Sequence, residues 1–293
     1  MTPHQATPPA KPELRHRCGR AVLPFVAAAL LAAASFPAAL PPTARAAAAS
    51  PNPMPRQMWL VDGPSRSPQL TTHRGYRADE RRVIATSRDG RPIVARHVGA
   101  LDAPVQLVVI GQMHGSEPGG RKVTEQLAGR RIPAGVGLWL VTSMNPDGNR
   151  LGTRANANGV DLNRNFPLGW QESTRGGTYW SGPRAASEPE TRGMMRFLTA
   201  VQPTAVLSFH QAFDVVDISH RRSRPAGRQL ARYMGERAAI VRCSGACHGT
   251  MTQWIDGELR RIAITVEMDS RVSGAEATRA ATAVLRLGQW LAQ

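Results

Sequence analysis

Four apolar runs constrain this chain more than any other feature: VQLVVIGQ at 105–112, GLWLVT at 137–142, TAVLSFH at 204–210 and RIAITVEM at 261–268. A strand wetted on one face alternates apolar and polar residues. These runs hardly alternate, so both their faces must be covered, which places them at the centre of a sheet with helices on either side. The intervening segments supply those helices. Gly119 to Gly129 has helical character, Ser187-Glu188-Pro189-Glu190 has the capping-box pattern for a helix reaching about residue 201, and Ala275 to Leu291 repeats with helical period. RRVIATS and PIVARHV flank Asp89-Gly90, a hairpin signal. The expected fold is α/β: a single domain over 82–293, with a central mixed twisted sheet flanked by helices and no internal repeat.

Polar residues stand where these runs end. His114 and Glu117 follow the first in GQMHGSEPGG, His210 closes LSFHQ, and Glu267 sits in ITVEMD. In open α/β sheets, ligand sites collect beyond the carboxyl ends of strands, so three separate segments would deliver their side chains to one crevice. His114, Glu117 and His210 are the donor types and number of a catalytic zinc site, which takes three protein ligands and keeps a position open. Glu267 is a carboxylate in an otherwise apolar strand. Such a group needs either an arginine partner or a task, and beside a metal site the task is to take a proton from water. The pattern points to a hydrolase.

Two further runs sharpen this: NPDGNRLGTRANANGVDLNRNFP at 145–167 and YWSGPRAASEPET at 179–191. With His114, Glu117, His210 and Glu267 in the same order, they resemble the zinc metallocarboxypeptidases, the carboxypeptidase A-like peptidases, over roughly 82–293. The resemblance implies one zinc ion, Glu267 as general base and Arg154 as the arginine that steadies the developing oxyanion. It also implies Asn163 and Arg164 as the pair gripping the substrate's terminal carboxylate. The digestive members carry a mobile tyrosine about twenty residues before the catalytic glutamate, whereas here Cys243 to Trp254 holds none. The stretch Gly249-Thr250-x-x-x-Trp254 looks more like the bacterial murein peptide amidases, whose acidic residue after the second zinc histidine is matched in spacing by Asp217 and less well by Asp214. An acid there would meet the amine of a diaminopimelate residue; as an alternative, Asp217 is a solvated acid at a strand edge.

Residues 1–46 read as a secretory signal peptide: Lys11, Arg15, Arg17 and Arg20 precede an apolar run, and Ala44-Arg45-Ala46 offers a cleavage site after Ala46. The unbroken apolar part, from Pro24 to Pro37, is shorter than the roughly 20 residues that span a bilayer, so no stable membrane insertion is expected after cleavage. Secretion or a place in the periplasm or cell envelope follows. Residues 47–81, rich in Pro, Ser and Arg, read as an N-terminal linker. In an oxidising compartment Cys243 and Cys247, four apart around a Ser-Gly-Ala turn, are expected to form a disulfide rather than a second metal site with His248. The leader's five basic residues and one acidic residue leave +12 of the chain's +16 on the mature part, where Lys122 is the only lysine. The arginines are scattered, with no basic helix and few aromatics between them, so no nucleic-acid partner is expected. The expected partner is a small peptide, and a monomer is expected.

The sequence therefore supports hydrolysis of an amide at or near the free carboxylate end of small peptides, with peptidoglycan peptides of the γ-D-glutamyl-diaminopimelate type favoured. The alternatives are a general secreted metallocarboxypeptidase, an aspartoacylase-type amidoacid deacylase, and a binding protein on a dead peptidase scaffold. The last would have lost a ligand or the base, and this chain keeps all four residues.

Overall fold

The computed structural model describes residues 80–241 and 247–293. The signal-peptide reading, nearly all of the linker and Cys243, with its expected bond to Cys247, lie outside the described residues.

Eight strands form one mixed sheet: β1 (Glu80–Thr86), β2 (Pro92–Gly99), β3 (Val105–Ile110), β4 (Val136–Val141), β5 (Ala205–Gln211), β6 (Val215–Asp217), β7 (Arg237–Ala239) and β8 (Ile262–Met268), in the order β1-β2-β4-β3-β5-β8-β6-β7. The four apolar runs are its centre. β4, β3, β5 and β8 are neighbours and mutually parallel, while the β1–β2 hairpin and β6–β7 flank them through antiparallel pairings. Asp89-Gly90 forms the predicted hairpin turn, with Gly90 in the left-handed region at φ 81°.

Helices cover both faces: α1 (Gly119–Ala128), α2 (Pro146–Leu151), α3 (Pro189–Val201), α4 (Arg224–Met234), α5 (Met251–Trp254) and α6 (Gly274–Leu291). Alternation along each central strand splits the core. Leu107, Val109, Leu207, Phe209, Ile264 and Val266 pack with residues of α1, α4 and α6. Val108, Ile110, Val206 and Ala263 face the other way, toward Leu162, Phe166, Met194, Leu198, Met251 and Trp254. Each fully buried Leu, Ile or Phe contributes roughly 1.5–3 kcal/mol of transfer free energy.

The capping box at Ser187 does not form. Glu188 is the N-cap of α3 and makes no side-chain cap bond, with Pro189 opening the helix. Ser187 Oγ instead donates to Glu188 Oε1 (2.6 Å), and Glu188 Oε2 accepts from Asn156 Nδ2 (2.9 Å) and Asn158 Nδ2 (2.8 Å). The carboxylates of SEPET are thus spent across the fold, tying the 154–160 turn to the start of α3 (Glu190 Oε2 also accepts from Asn156, 3.3 Å).

The chain reverses its direction of travel across the sheet at β3: β4 lies on one side and β5 on the other. The crevice between β3 and β5 is therefore the topological switch point, where open sheets bind ligands.

Candidate active site

At that crevice His114 follows β3, His210 is the sixth residue of β5, and Glu267 is its register partner on β8. Residues opposite each other in register share a face, so His210 and Glu267 both project toward the side covered by α3 and α5. His114 Nδ1 lies 2.9 Å from Glu117 Oε2, His210 Nδ1 lies 3.1 Å from the same oxygen, and the two Nδ1 atoms are 3.2 Å apart. All three side chains are buried. Each imidazole is held from behind. His114 Nε2 lies 3.0 Å from Asp161 Oδ1, and His210 Nε2 lies 3.1 Å from Ser208 Oγ. With the Nε2 protons given to those oxygens, both Nδ1 lone pairs and a carboxylate oxygen converge on one point. Three lone-pair donors so close would repel without a cation between them, so the donor set fits zinc, with an open position left for a ligand.

Glu117 is poised as an anion. Without a metal, when the two rings can carry Nδ1 protons, burial pushes its carboxyl up, but hydrogen bonds from His114 and His210 outweigh this and hold it well below the usual carboxylate range. The turn that brings it back to His114 is closed by Glu117 N–H donating to His114 O (3.0 Å). Gly115 inside that turn has no room for a side chain: a Cβ would sit 1.9 Å from the carbonyl carbon of Gly148. The HGSE and NPDG runs therefore touch backbone to backbone. Asn145 caps α2 by accepting from Gly148 N (2.9 Å) and donates through Nδ2 to Arg154 O (3.3 Å), so NPDG also sets the chain that carries Arg154.

Arg154 reaches into the cluster, donating from Nη1 to Glu117 Oε1 (3.0 Å) and from Nε to Asp161 Oδ2 (3.0 Å). Asn163 and Arg164 lie on the 3-10 turn Leu162–Arg164, which Asp161 caps by accepting from Asn163 N. Asn163 Oδ1 is taken by Met251 N (3.0 Å), which leaves its amide nitrogen as the donor for a ligand. Arg164 is buried, and its Nε has no hydrogen-bond partner among the described residues. Burial lowers its pKa, and the neighbouring Arg154 lowers it further. Two neighbouring guanidiniums make this the candidate anion site.

Among the described residues no arginine forms an ion pair with Glu267. Its Oε2 is buried without a hydrogen-bond partner among the described residues, and burial raises its pKa above the ordinary glutamate range. An unpartnered carboxylate two strands from the metal trio's first histidine is the candidate general base.

Asp161 was not among the candidates read from the sequence. It is fully buried and joins His114, Arg154 and the Asn163 backbone through one carboxylate. The signal was its place in GVDLNRNFP, but which groups it touches depends on tertiary packing.

Asp217 is not brought into this cluster. It lies two residues past Val215, the partner of Glu267, on a strand running antiparallel to β8. Its Oδ1 accepts from Ser219 N (2.9 Å) and Val241 N (3.2 Å). Asp217→Ala is expected to destabilise the fold by about 1–3 kcal/mol through those freed amides, read from a denaturant midpoint. Asp214 shares a hydrogen bond with Glu236, whose pKa burial and Asp214 together push up to about 7.

A buried His-Glu-His trio with an uncoordinated carboxylate and convergent arginines, at the switch point of a mixed sheet, defines a metal-dependent hydrolase. The family model of the zinc carboxypeptidases matches residues 79–242, more than half of the chain. The chain belongs to that family.

Among relatives, murein peptide amidase A of Escherichia coli strain K12 is 40% identical over 90 residues, covering 27% of this chain and 37% of that protein. The Vibrio campbellii murein peptide amidase A is 39% identical over 111 residues, covering 33% and 42%. The matches thus span about two fifths of these relatives' own length. The solved murein-tripeptide amidase from Escherichia coli O157 superposes with a TM-score of 0.59 at 25% identity, covering 73% of this chain and 98% of that one. Carboxypeptidase A from Helicoverpa armigera superposes at 0.63 with 17% identity over 73% and 68%, and shows the same fold.

Chelation is expected to abolish turnover and lower the melting temperature, with zinc restoring both. Zinc at a hundred times its Kd would add about 2.7 kcal/mol, measurable as a calorimetric shift.

Proposed function

We propose that this chain hydrolyses the amide bond next to a free carboxylate in small peptides, with peptidoglycan-derived peptides of the γ-D-glutamyl-diaminopimelate type as its substrates. The observation that carries the reading is the placement of Asn163 and Arg164, the latter with an Nε unpartnered among the described residues, on the same short run as Asp161, which supports His114. A carboxylate bound there sets the neighbouring amide against the metal trio and Glu267. The likeness to murein peptide amidases supports the substrate class.

Zinc, when bound, supplies positive charge that polarises the amide carbonyl and acidifies water. The chain's own residues do the rest. Glu267 takes a proton from the attacking water and returns it to the leaving amine. Arg154 offers charge to the oxygen that becomes negative. Asn163 and Arg164 hold the substrate's carboxylate, which fixes the scissile bond relative to Glu267.

We further propose export by the leader, with cleavage near Ala46, action in the cell envelope or outside the cell, and the Cys243–Cys247 disulfide expected in an oxidising compartment.

The test is turnover of L-Ala-γ-D-Glu-diaminopimelate against an ordinary peptide ending in arginine or leucine. Cleavage of the first alone supports the proposal. Release of the end residue from the second replaces it with a general carboxypeptidase. Hydrolysis of N-acyl amino acids alone would favour the deacylase reading.

A further inference from the structure

Tyr179 opens the run YWSGPRAASEPET but has no role in the chemistry above, yet both functional arginines meet at its ring. The guanidinium carbons of Arg154 and Arg164 each lie 5.2 Å from the Tyr179 ring centroid, within cation–π range. The ring is 46% exposed, so core packing does not explain its position.

The loop presenting it is fastened on both sides to the run that carries Asp161, Asn163 and Arg164. Asp161 N–H donates to Trp180 O (2.8 Å), and Asn165 Nδ2 donates to Ser181 O (2.8 Å). Ser173 Oγ donates to Tyr179 O (3.0 Å) and accepts from Ser181 N (2.8 Å), which closes the loop on itself. A half-exposed aromatic held this firmly, beside two like charges that repel each other, has a purpose in the charges. The negative face of the ring attracts both guanidiniums and offsets part of their mutual repulsion. The Arg164 Nε is buried and has no hydrogen-bond partner among the described residues.

We propose that Tyr179 is a positioning residue for carboxylate recognition: its ring offsets the repulsion between Arg154 and Arg164 and so holds Arg164 toward one anion, the carboxylate beside the scissile amide, while Arg154 stays aimed at the developing oxyanion. The inference rests on the carboxylate-end reading given above. It assigns the effect to the ring rather than to the phenol hydroxyl, and to binding rather than to the proton-transfer step.

The experiment measures binding without turnover. In the Glu267→Gln background, titration calorimetry compares L-Ala-γ-D-Glu-diaminopimelate with the same peptide carrying a carboxamide in place of the carboxylate next to the γ-glutamyl amide. Tyr179, Tyr179→Phe and Tyr179→Leu forms are tested, each matched for zinc content and melting temperature. The expected result is a preference for the carboxylate that falls about tenfold in Tyr179→Leu and is largely restored in Tyr179→Phe. In the active protein the same loss appears in KM more than in kcat. An undiminished preference in Tyr179→Leu overturns the role of Tyr179 and leaves the carboxylate-end reading intact. A loss in Tyr179→Phe equal to that in Tyr179→Leu also overturns it, because the hydroxyl would then be the acting group. No preference in the Tyr179 protein itself overturns the carboxylate-end reading, and this inference with it.

Discussion

Glu267→Gln is expected to lose about 10³-fold or more in kcat while keeping its zinc and its fold. The amide is nearly isosteric with the carboxyl and cannot take a proton from water. Because no arginine or lysine is ion-paired with Glu267 among the described residues, and its Oε2 has no hydrogen-bond partner there, removing its charge breaks no ion pair seen there. The stability effect has the opposite sign from the catalytic one. Burial raises this carboxyl's pKa in the folded protein, so the folded state binds its proton more tightly than the unfolded chain does. The glutamate is therefore least unfavourable below the ordinary glutamate range, and it destabilises increasingly as pH rises through the folded-state pKa. In the metal-free protein, Glu267→Gln should melt at or above wild type at neutral pH, and the difference should vanish in acid. Paired melting curves across pH check this. A variant that melts well below wild type at neutral pH would mean that the carboxylate is held by a stabilising partner, and the general-base role would lose its physical basis.

Much of this site was legible in the sequence because strands deliver side chains by rule. Four apolar runs could only be central strands, and their carboxyl ends could only lie along one edge if they ran parallel. That placed His114, His210 and Glu267 together before any coordinates. The remainder was hidden for different reasons. β6 and β7 are three residues each, too short for a periodic signal, and α4 is apolar only on the stripe facing the sheet. The pattern at Ser187 matched a capping box, but buried Asn156 and the exposed Asn158 compete for Glu188, and tertiary hydrogen bonds prevailed over the local motif. Spacing along the chain also does not reveal that β6, which carries Asp217, turns back antiparallel to β8. Tyr179 sits in a loop whose course is set by Ser173, Ser181 and Asn165, none of which announces a contact with two arginines.

Asp161→Ala is expected to be the most damaging change among residues that touch neither metal nor substrate. Its carboxylate is fully buried and serves three groups: the His114 ring, the Arg154 guanidinium and the Asn163 amide. Burial alone would raise its pKa, but the His114 and Arg154 contacts hold it well below the usual carboxylate range. The folded protein therefore gains stability from this ionised group at neutral pH, and that gain is lost as pH falls below the ordinary aspartate range. Removing the carboxylate frees the His114 ring to turn and should weaken zinc binding about 10–100-fold. It also leaves Arg154 without one of its two anions, at a cost of about 3 kcal/mol, the low end for a broken buried pair because Arg154 is partly exposed. Asp161→Asn separates the two effects. Its amide oxygen can still accept from His114 Nε2, so zinc affinity should fall less than in Asp161→Ala, while the charge owed to Arg154 is lost in both. Zinc affinity by chelator competition, set against the denaturation midpoint of the metal-free protein, distinguishes these contributions. Equal zinc affinity in wild type and Asp161→Ala would show that His114 is oriented by its strand and turn alone.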